Sequence, residues 1–264
     1  MNAKPLTSGP SENAVTITRG ADGQWHAHHD DVVVGCGYAR HRPDGRLFVS
    51  IDAWHDATFD RLAETMLAEL PAPLYTVVDE ADVALTASWR RAGFAIRRRE
   101  WEYAVPTDPE VTGLDGVLPP PGVTIVPAGQ ADEILLRAVD RAIRDEVEAA
   151  VGWWRTMPAE VIAGVDGDTI VDPSTYAVAA ADDRYLGLVR VVTVIRPRIG
   201  LVAVRAGEQR RGVARALLAH ALGTLHRSGH AEARAEVHES NRAASALFAG
   251  VGARPESSNL ELVR

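Results

Sequence analysis

The sequence predicts a mixed α/β protein on three observations. Strand-like and helix-like segments alternate along the chain, a proline- and glycine-rich stretch divides it, and the order of segments before that stretch recurs after it. In the first half, Val32–Arg40 and Arg46–Asp52 are strand-like, Phe59–Leu70 has helical spacing, and Leu74–Val78 is strand-like. A helix through Ala84–Ala92 follows and ends at Gly93-Phe94. The stretch Pro106–Gly122, PTDPEVTGLDGVLPPPG, has no apolar period and reads as a semi-rigid linker.

In the second half, Val123–Val126 predicts a short strand, and Ile134, Leu135, Val139, Ile143 and Val147 set a helical period within Asp132–Val151. Strands are expected at Tyr176–Ala181, Leu186–Ile195 and Ile199–Val204, the first two joined by the turn Asp182-Asp183-Arg184. Val213, Leu217, Leu218, Ala221, Leu222 and Leu225 then fall on one helical face, closed by Ser228-Gly229. Glu232–His238 reads as a strand, Arg242–Val251 as a helix and Asn259–Val263 as a last strand. FDRLAETML, from Phe59, takes the place that VARALLAHA, from Val213, takes later, and WRRAGF, from Trp89, matches FAGVGA, from Phe248. An internal duplication is expected, with lobes at 1–105 and 123–264 about a linker at 106–122.

Composition excludes several function classes. Twenty-eight basic against 36 acidic residues give a formal net charge of -8, which disfavours nucleic acid and mildly favours cationic ligands such as amines. Cys36 is the only cysteine, so neither an internal disulfide nor a cysteine-based zinc cluster can form. The polar start of the chain lacks a signal-peptide core, and no run of 18 apolar residues offers a membrane span. A soluble cytoplasmic protein without membrane or nucleic-acid partners is expected, as a monomer or homodimer.

Chemistry concentrates in Val202–Ala216, VAVRAGEQRRGVARA, where a strand ends, a polar turn follows and a helix begins near Gly212. A helix start presents unpaired N–H groups and the positive end of the dipole, which suit phosphate. Gly212 and the small Ala214 allow an anion close to the backbone, and Arg210, Arg211 and Arg215 add charged donors. No GxxxxGK[ST] loop and no GxGxxG fingerprint occur. A plain strand–turn–helix with a basic, solvated start would use the same residues.

Gln209-Arg210-Arg211-Gly212-Val213-Ala214 resembles the Q/R-x-x-G-x-G/A signature of the GCN5-related N-acetyltransferases, placed after a strand and opening an amphipathic helix. Downstream, Asn241, Ala244, Leu247 and Gly252 fit that family's second half-motif, close to N-x-x-A-x-x-L-Y-x-x-x-G-F. The resemblance is good over 123–264 and faint over 13–105. It implies two acyl-CoA N-acyltransferase-like lobes, each a mixed, mostly antiparallel sheet flanked by helices. It further implies acetyl-CoA as co-substrate, with backbone groups of Val202, Ala203 and Val204 along its pantetheine arm. The Val204 N–H would polarise the thioester carbonyl. Amides of Gln209, Arg210, Arg211, Gly212, Val213 and Ala214 would hold the pyrophosphate, with Arg215 nearby, and Asn241 would help place the cofactor.

The chain departs from the family where proton transfer matters. Phe248 stands where relatives often carry an acidic tyrosine, and Gly200–Ala203 offers no glutamate as base. A base is still required, because an alkylammonium attacks only after losing a proton. Glu236, His238 and Glu239 lie on the strand beside the expected thioester and are the candidates, each equally readable as a solvated strand residue. In the region of the acceptor pocket, Asp145, Glu146 and Glu148 precede Trp153 and Trp154, and Glu146 with Trp153 suits a cationic amine. A wet helix face with core tryptophans is the competing reading.

Other features point less far. His26, His28 and His29 beside Asp30 and Asp31 read as solvent-facing strand residues, so no metal is expected. Arg97-Arg98-Arg99 is expected on an exposed strand and Cys36 on a buried one. The first-half counterpart of the anion turn, Ile51–Glu64, has no glycine and carries Asp52, Asp56 and Asp60, which would repel a pyrophosphate. That lobe is expected to be degenerate and non-catalytic. The function expected is acetyl transfer to a primary amine of a small molecule. A protein N-acetyltransferase and a non-catalytic coenzyme sensor are the alternatives.

Overall fold

A computed structural model describes residues 15–21, 23–42, 44–152, 172–193 and 196–264. The first half runs β1 (Thr16–Arg19), β2 (Gln24–His29), β3 (Val32–His41), β4 (Leu47–Ala53), α1 (Asp56–Glu69), β5 (Leu74–Asp79), α2 (Val83–Arg91) and β6 (Ala95–Pro106). A short α3 (Pro109–Thr112) leads to β7 (Thr124–Val126), α4 (Glu133–Ala150), β8 (Tyr176–Ala181), β9 (Arg184–Thr193) and β10 (Pro197–Val204). The chain ends with α5 (Val213–Arg227), β11 (Glu232–His238), α6 (Arg242–Ala249) and β12 (Arg254–Val263). Among the described residues no helix is long and apolar enough to cross a membrane.

The twelve strands among the described residues form one sheet in the order β1-β2-β3-β4-β5-β12-β6-β11-β10-β9-β8-β7. The two ends mirror each other, and the centre is crossed. β12, last of the second half, pairs with β5 of the first, while β6, last of the first half, pairs with β11 of the second. The two lie antiparallel to each other at the middle of the sheet. Pairing is antiparallel throughout except between β4 and β5 and between β10 and β11. Each parallel pair has only two rungs, Leu47↔Leu74 with Phe48↔Tyr75 and Arg198↔Arg234 with Ile199↔Ala235. Each half thus contains two strands that start together and then part.

Helices settle on this sheet by their apolar faces. Phe59, Leu62 and Met66 of α1 bury against β2, β4 and β5, joined by Trp89 of α2, which meets Phe59 and Phe94 edge-on. Gly35 and Gly37 of β3 permit that approach, since a side chain at either would run into Leu62 or Met66. α5 and α6 pack with β6, β8 and β11 through Leu217, Leu222 and Phe248. Leu136, Val139 and Ile143 of α4 form a separate core with Tyr176, Leu188 and Leu201.

Local chemistry starts most of these helices. Asp82, Asp132 and Asn241 cap α2, α4 and α6, each accepting an N–H three residues on, from Leu85, Leu135 and Ala244 at 2.9–3.0 Å. Two expectations need correcting. The run Arg97–Arg99 lies on β6 at the centre of the sheet between β12 and β11, where Arg97 is exposed, Arg99 is half-buried and Arg98 is buried. Arg98 is 5% exposed and bonds Glu100 at 2.6 Å, and a buried charge of this kind is tolerated only with such a partner. Cys36 is half-buried, its Sγ 3.4 Å from His26 Nδ1.

Candidate coenzyme and acyl-transfer site

The parting of β10 from β11 makes an opening at the middle of the second half. Beyond Ile199 and Ala235 the two strands share no further rungs, while β10 stays bonded to β9 as far as Val204↔Gly187. A bulge between Ile199 and Leu201 accompanies the divergence. N–H groups alternate in direction along a strand, and Arg205 donates to Leu186 of the β9 strand at 2.9 Å. The N–H groups of Val202 and Val204 therefore face away from β9, into the opening, and that of Ala203 does not. The cleft is lined by Ile199, Gly200, Leu201 and Val202 on one side and by Glu236, Val237, Asn241, Ala244, Leu247 and Phe248 on the other. It is a narrow slot holding about 50 Å³.

At the end of β10 the chain passes through a 3-10 turn, Ala206–Glu208, into α5. Gly212 is the N-cap of α5, with φ +91°, and no side chain caps the helix. The first helical bond is that from Ala216 N–H to Gly212 at 3.0 Å. The N–H groups of Arg210 through Arg215 find no acceptor among the described residues, in contrast to the capped starts of α2, α4 and α6. Arg210, at φ +63°, and Gly212 both take the left-handed conformation. Residues alternating with that conformation turn consecutive N–H groups into one concavity, a form that receives anions. A Cβ at Gly212 would touch only Pro120, at 3.9 Å, so the space above the turn is open. These residues fit a diphosphate.

The side chains divide the labour differently. Arg211 bonds Glu208, which is buried and also takes Arg184 at 3.1 Å. Arg215 donates to the Gly113 carbonyl at 2.8 Å, tying α5 to the segment after α3. Gln209 uses its side-chain amide on the Val204 carbonyl at 3.2 Å and its N–H on Ala206 at 3.4 Å. Arg210 alone of the three arginines has no side-chain partner among the described residues. Sequence reading missed Glu208; its i, i+3 spacing to Arg211 was the available signal. Asn241 caps α6 and borders the slot.

Glu146, a candidate for the acceptor, is engaged in the fold. Its carboxylate takes Arg205 Nε and the Ala206 N–H, both at 2.6 Å, and so holds α4 to the turn that leads to Gly212. Burial alone would raise its pKa, but those two bonds together outweigh burial and leave it lowered. Glu146→Ala would strand both donors. A fall of roughly 3–8 °C in Tm is expected, with weaker acetyl-CoA binding, read by a melting curve and a titration. Trp153, the other acceptor candidate, and Trp154 lie outside the described residues.

The three proton-transfer candidates separate in space. Glu239 is exposed and paired with Arg99 at 3.3 Å. His238 is buried, and its Nδ1 accepts from the Ser240 N–H at 3.1 Å and lies 2.8 Å from the Ser240 hydroxyl. Its basic lone pair is thereby used. Only Glu236 lines the slot, 3.4 Å from Arg198. Phe248 stacks on Tyr103 of β6 at 6.0 Å, deep in the core.

Burial, with Arg98 second and Glu239 opposing, lowers the pKa of His238, and burial with Arg227 lowers that of His220. An imidazole whose folded pKa lies below its unfolded value of about 6.5 stabilises the fold while neutral. That contribution is complete above the unfolded value and is lost as pH falls through the folded one. Tm is therefore expected to drop between about pH 7 and pH 5, and His220→Gln to flatten part of the drop.

Comparison with known proteins follows this geometry. The family model described as "Acetyltransferase (GNAT) family" matches residues 139–253, from within α4 to just past α6. Comparison with curated proteins gives no match. Among solved structures, a GCN5-related N-acetyltransferase from Sphaerobacter thermophilus superposes with TM-score 0.62 at 18% identity, over 92% of this chain and 80% of that one. A tandem GNAT protein from the clavulanic acid biosynthesis pathway gives 0.64 at 16%, over 91% and 82%. A GCN5-related N-acetyltransferase from Kribbella flavida gives 0.58 at 14%, over 95% and 89%. At such identities the likeness is one of fold, while the family match falls on the segment holding the slot and the uncapped helix. Residues 139–253 are thus a domain of the acetyltransferase (GNAT) family, and the chain as a whole folds as members of that family do.

Proposed function

We propose that the protein transfers an acetyl group from acetyl-CoA to a primary amine of a small molecule, by direct attack in a ternary complex. One observation carries this reading: the open edge of β10 runs directly into a helix start whose N–H groups have no acceptor among the described residues. An extended thiol-bearing arm followed by a diphosphate has that same order of chemistry. Val202 and Val204 would bond the arm like an added strand, with Ala203 between them. Gly212, Val213 and Ala214, with Arg210, would hold the diphosphate, while Arg211, Arg215 and Gln209 brace the turn, and Asn241 would border the arm.

When bound, acetyl-CoA supplies an activated acyl carbon. This chain's residues position it and handle charge and protons. The Val204 N–H, aimed into the opening, would steady negative charge developing on the acyl oxygen. Glu236 is the base in this reading, since it alone of the three candidates borders the slot. Phe248 has no proton to give, so the departing sulfur takes one from solvent or from the attacking nitrogen. Much of the rate then rests on holding the amine beside the acyl carbon.

The division into lobes at 1–105 and 123–264 is part of the proposal, with β6 and β12 exchanged between them. The first half's counterpart of the anion turn supports a non-catalytic role. α1 opens with Asp56, and Asp60 pairs with Arg91 at 3.2 Å. Phe248 and the lack of a glutamate on β10 favour a second reading, a coenzyme sensor without turnover. Titration with acetyl-CoA tests the shared premise, and thiol release over a panel of amines separates the two. Absence of binding ends both readings; tight binding without acceptor-dependent release leaves the sensor. Protein N-termini and lysine peptides in the same panel test the protein-acetylating alternative.

A further inference from the structure

The first half carries an arrangement of charge that acetyl transfer does not use. Phe48 of β4 and Tyr75 of β5 stack at the two-rung junction of these strands, with ring centroids 5.5 Å apart. Three guanidiniums surround the pair. Arg46 lies 5.1 and 5.0 Å from the two rings, Arg97 lies 5.3 Å from Tyr75, and Arg42 sits directly over Phe48 at 3.5 Å. Two carboxylates stand among them. Asp44 takes Arg46 Nε at 2.6 Å; Glu261, 3% exposed, takes Arg46 at 3.0 Å and Arg97 at 2.7 Å.

Both carboxylates are therefore spoken for, and Arg42 is left over. Its guanidinium has no side-chain acceptor among the described residues; its backbone N–H bonds Arg46 O at 2.9 Å. Burial, then the charge of Arg46, lowers its pKa, while Glu261, Asp44 and Glu100 act the other way. A guanidinium lying over a ring keeps its N–H fork in its own plane, where a carboxylate can meet it edge to edge. With the Arg98–Glu100 pair included, four cations stand against three anions among the described residues, so one negative charge completes the set.

We propose that Arg42, stacked on Phe48 and flanked by Arg46 and Arg97, is a binding site for a small monocarboxylate. Four strand spacings separate β4 from β11, roughly 19 Å, so the site is distinct from the slot beside Glu236. It does not rest on the acetyltransferase reading, and either can fail alone.

The test is calorimetric titration of the full chain with benzoate at low ionic strength, and in parallel with inorganic phosphate. Saturable benzoate binding is expected, weakened roughly 10- to 100-fold in Arg42→Met, which keeps an apolar stem on Phe48 while removing the fork. Arg42→Lys should recover only part, having charge without the fork. Unchanged Tm in both variants would show that the fold is intact. Equal benzoate binding by wild type and Arg42→Met, no saturable benzoate binding at all, or binding of phosphate in preference to benzoate would each overturn the proposal.

Discussion

Gly212→Glu is expected to weaken acetyl-CoA binding by at least about 100-fold, read by titration calorimetry. Two effects act in the same direction. At φ +91° Gly212 occupies backbone space where an L side chain costs about 1–2 kcal/mol. Relief of that strain would turn the Arg210–Val213 N–H groups out of their common concavity. The added carboxylate would also stand at the mouth of the turn, at the positive end of α5, where the coenzyme's diphosphate is proposed to lie. Gly212→Ala separates the two, carrying the strain without the charge, and should fall between wild type and the glutamate variant. Affinity unchanged in Gly212→Glu would place the coenzyme elsewhere.

Glu236→Gln is expected to lower kcat by roughly 10²- to 10⁴-fold with acetyl-CoA affinity nearly unchanged. The amide keeps the size of the side chain beside Val202 and Asn241 but cannot take a proton from the incoming ammonium. Raising the pH should recover part of the loss, because free amine then forms in solution without the enzyme's help. A structural role for Glu236 opposite Arg198 would instead lower Tm and affinity together, with no pH-dependent recovery. His238→Gln and Glu239→Gln serve as comparisons and should leave kcat within a few-fold, since Ser240 and Arg99 already engage those side chains.

The parts of this molecule that could be read in one dimension were those set by near neighbours. Leu217, Leu218 and Leu222 report the buried face of α5 by their period, and Gly212 marks its start because a residue without Cβ takes φ +91° at little cost. Asn241, read from the sequence only as a residue placing the cofactor, also caps α6 by accepting the Ala244 N–H three residues on. What could not be read depends on partners far away in the chain. Glu146 looks like one acid among several on a wet helix until Arg205 and Ala206 arrive, 59 and 60 residues on. Arg98 and Glu100 look solvated because alternate charges on a strand usually are, and only the central position of β6 buries them. The strand β12 begins at Arg254, earlier than its apolar residues suggest, because a register shift between Pro255 and Ser257 lets a polar stretch continue the pairing with β6.

The crossed placement of β6 and β12 has a consequence for how the molecule holds together. A fragment comprising 123–264 would keep β12 without its β5 neighbour and leave the β11 flank bare where β6 belongs. Its counterpart would suffer the reverse. Each half thus completes the other's backbone bonding at the centre of the sheet, as in a clasp. The first half is thereby built into the site of the second, since the slot opens from a strand, β11, whose far side β6 supplies.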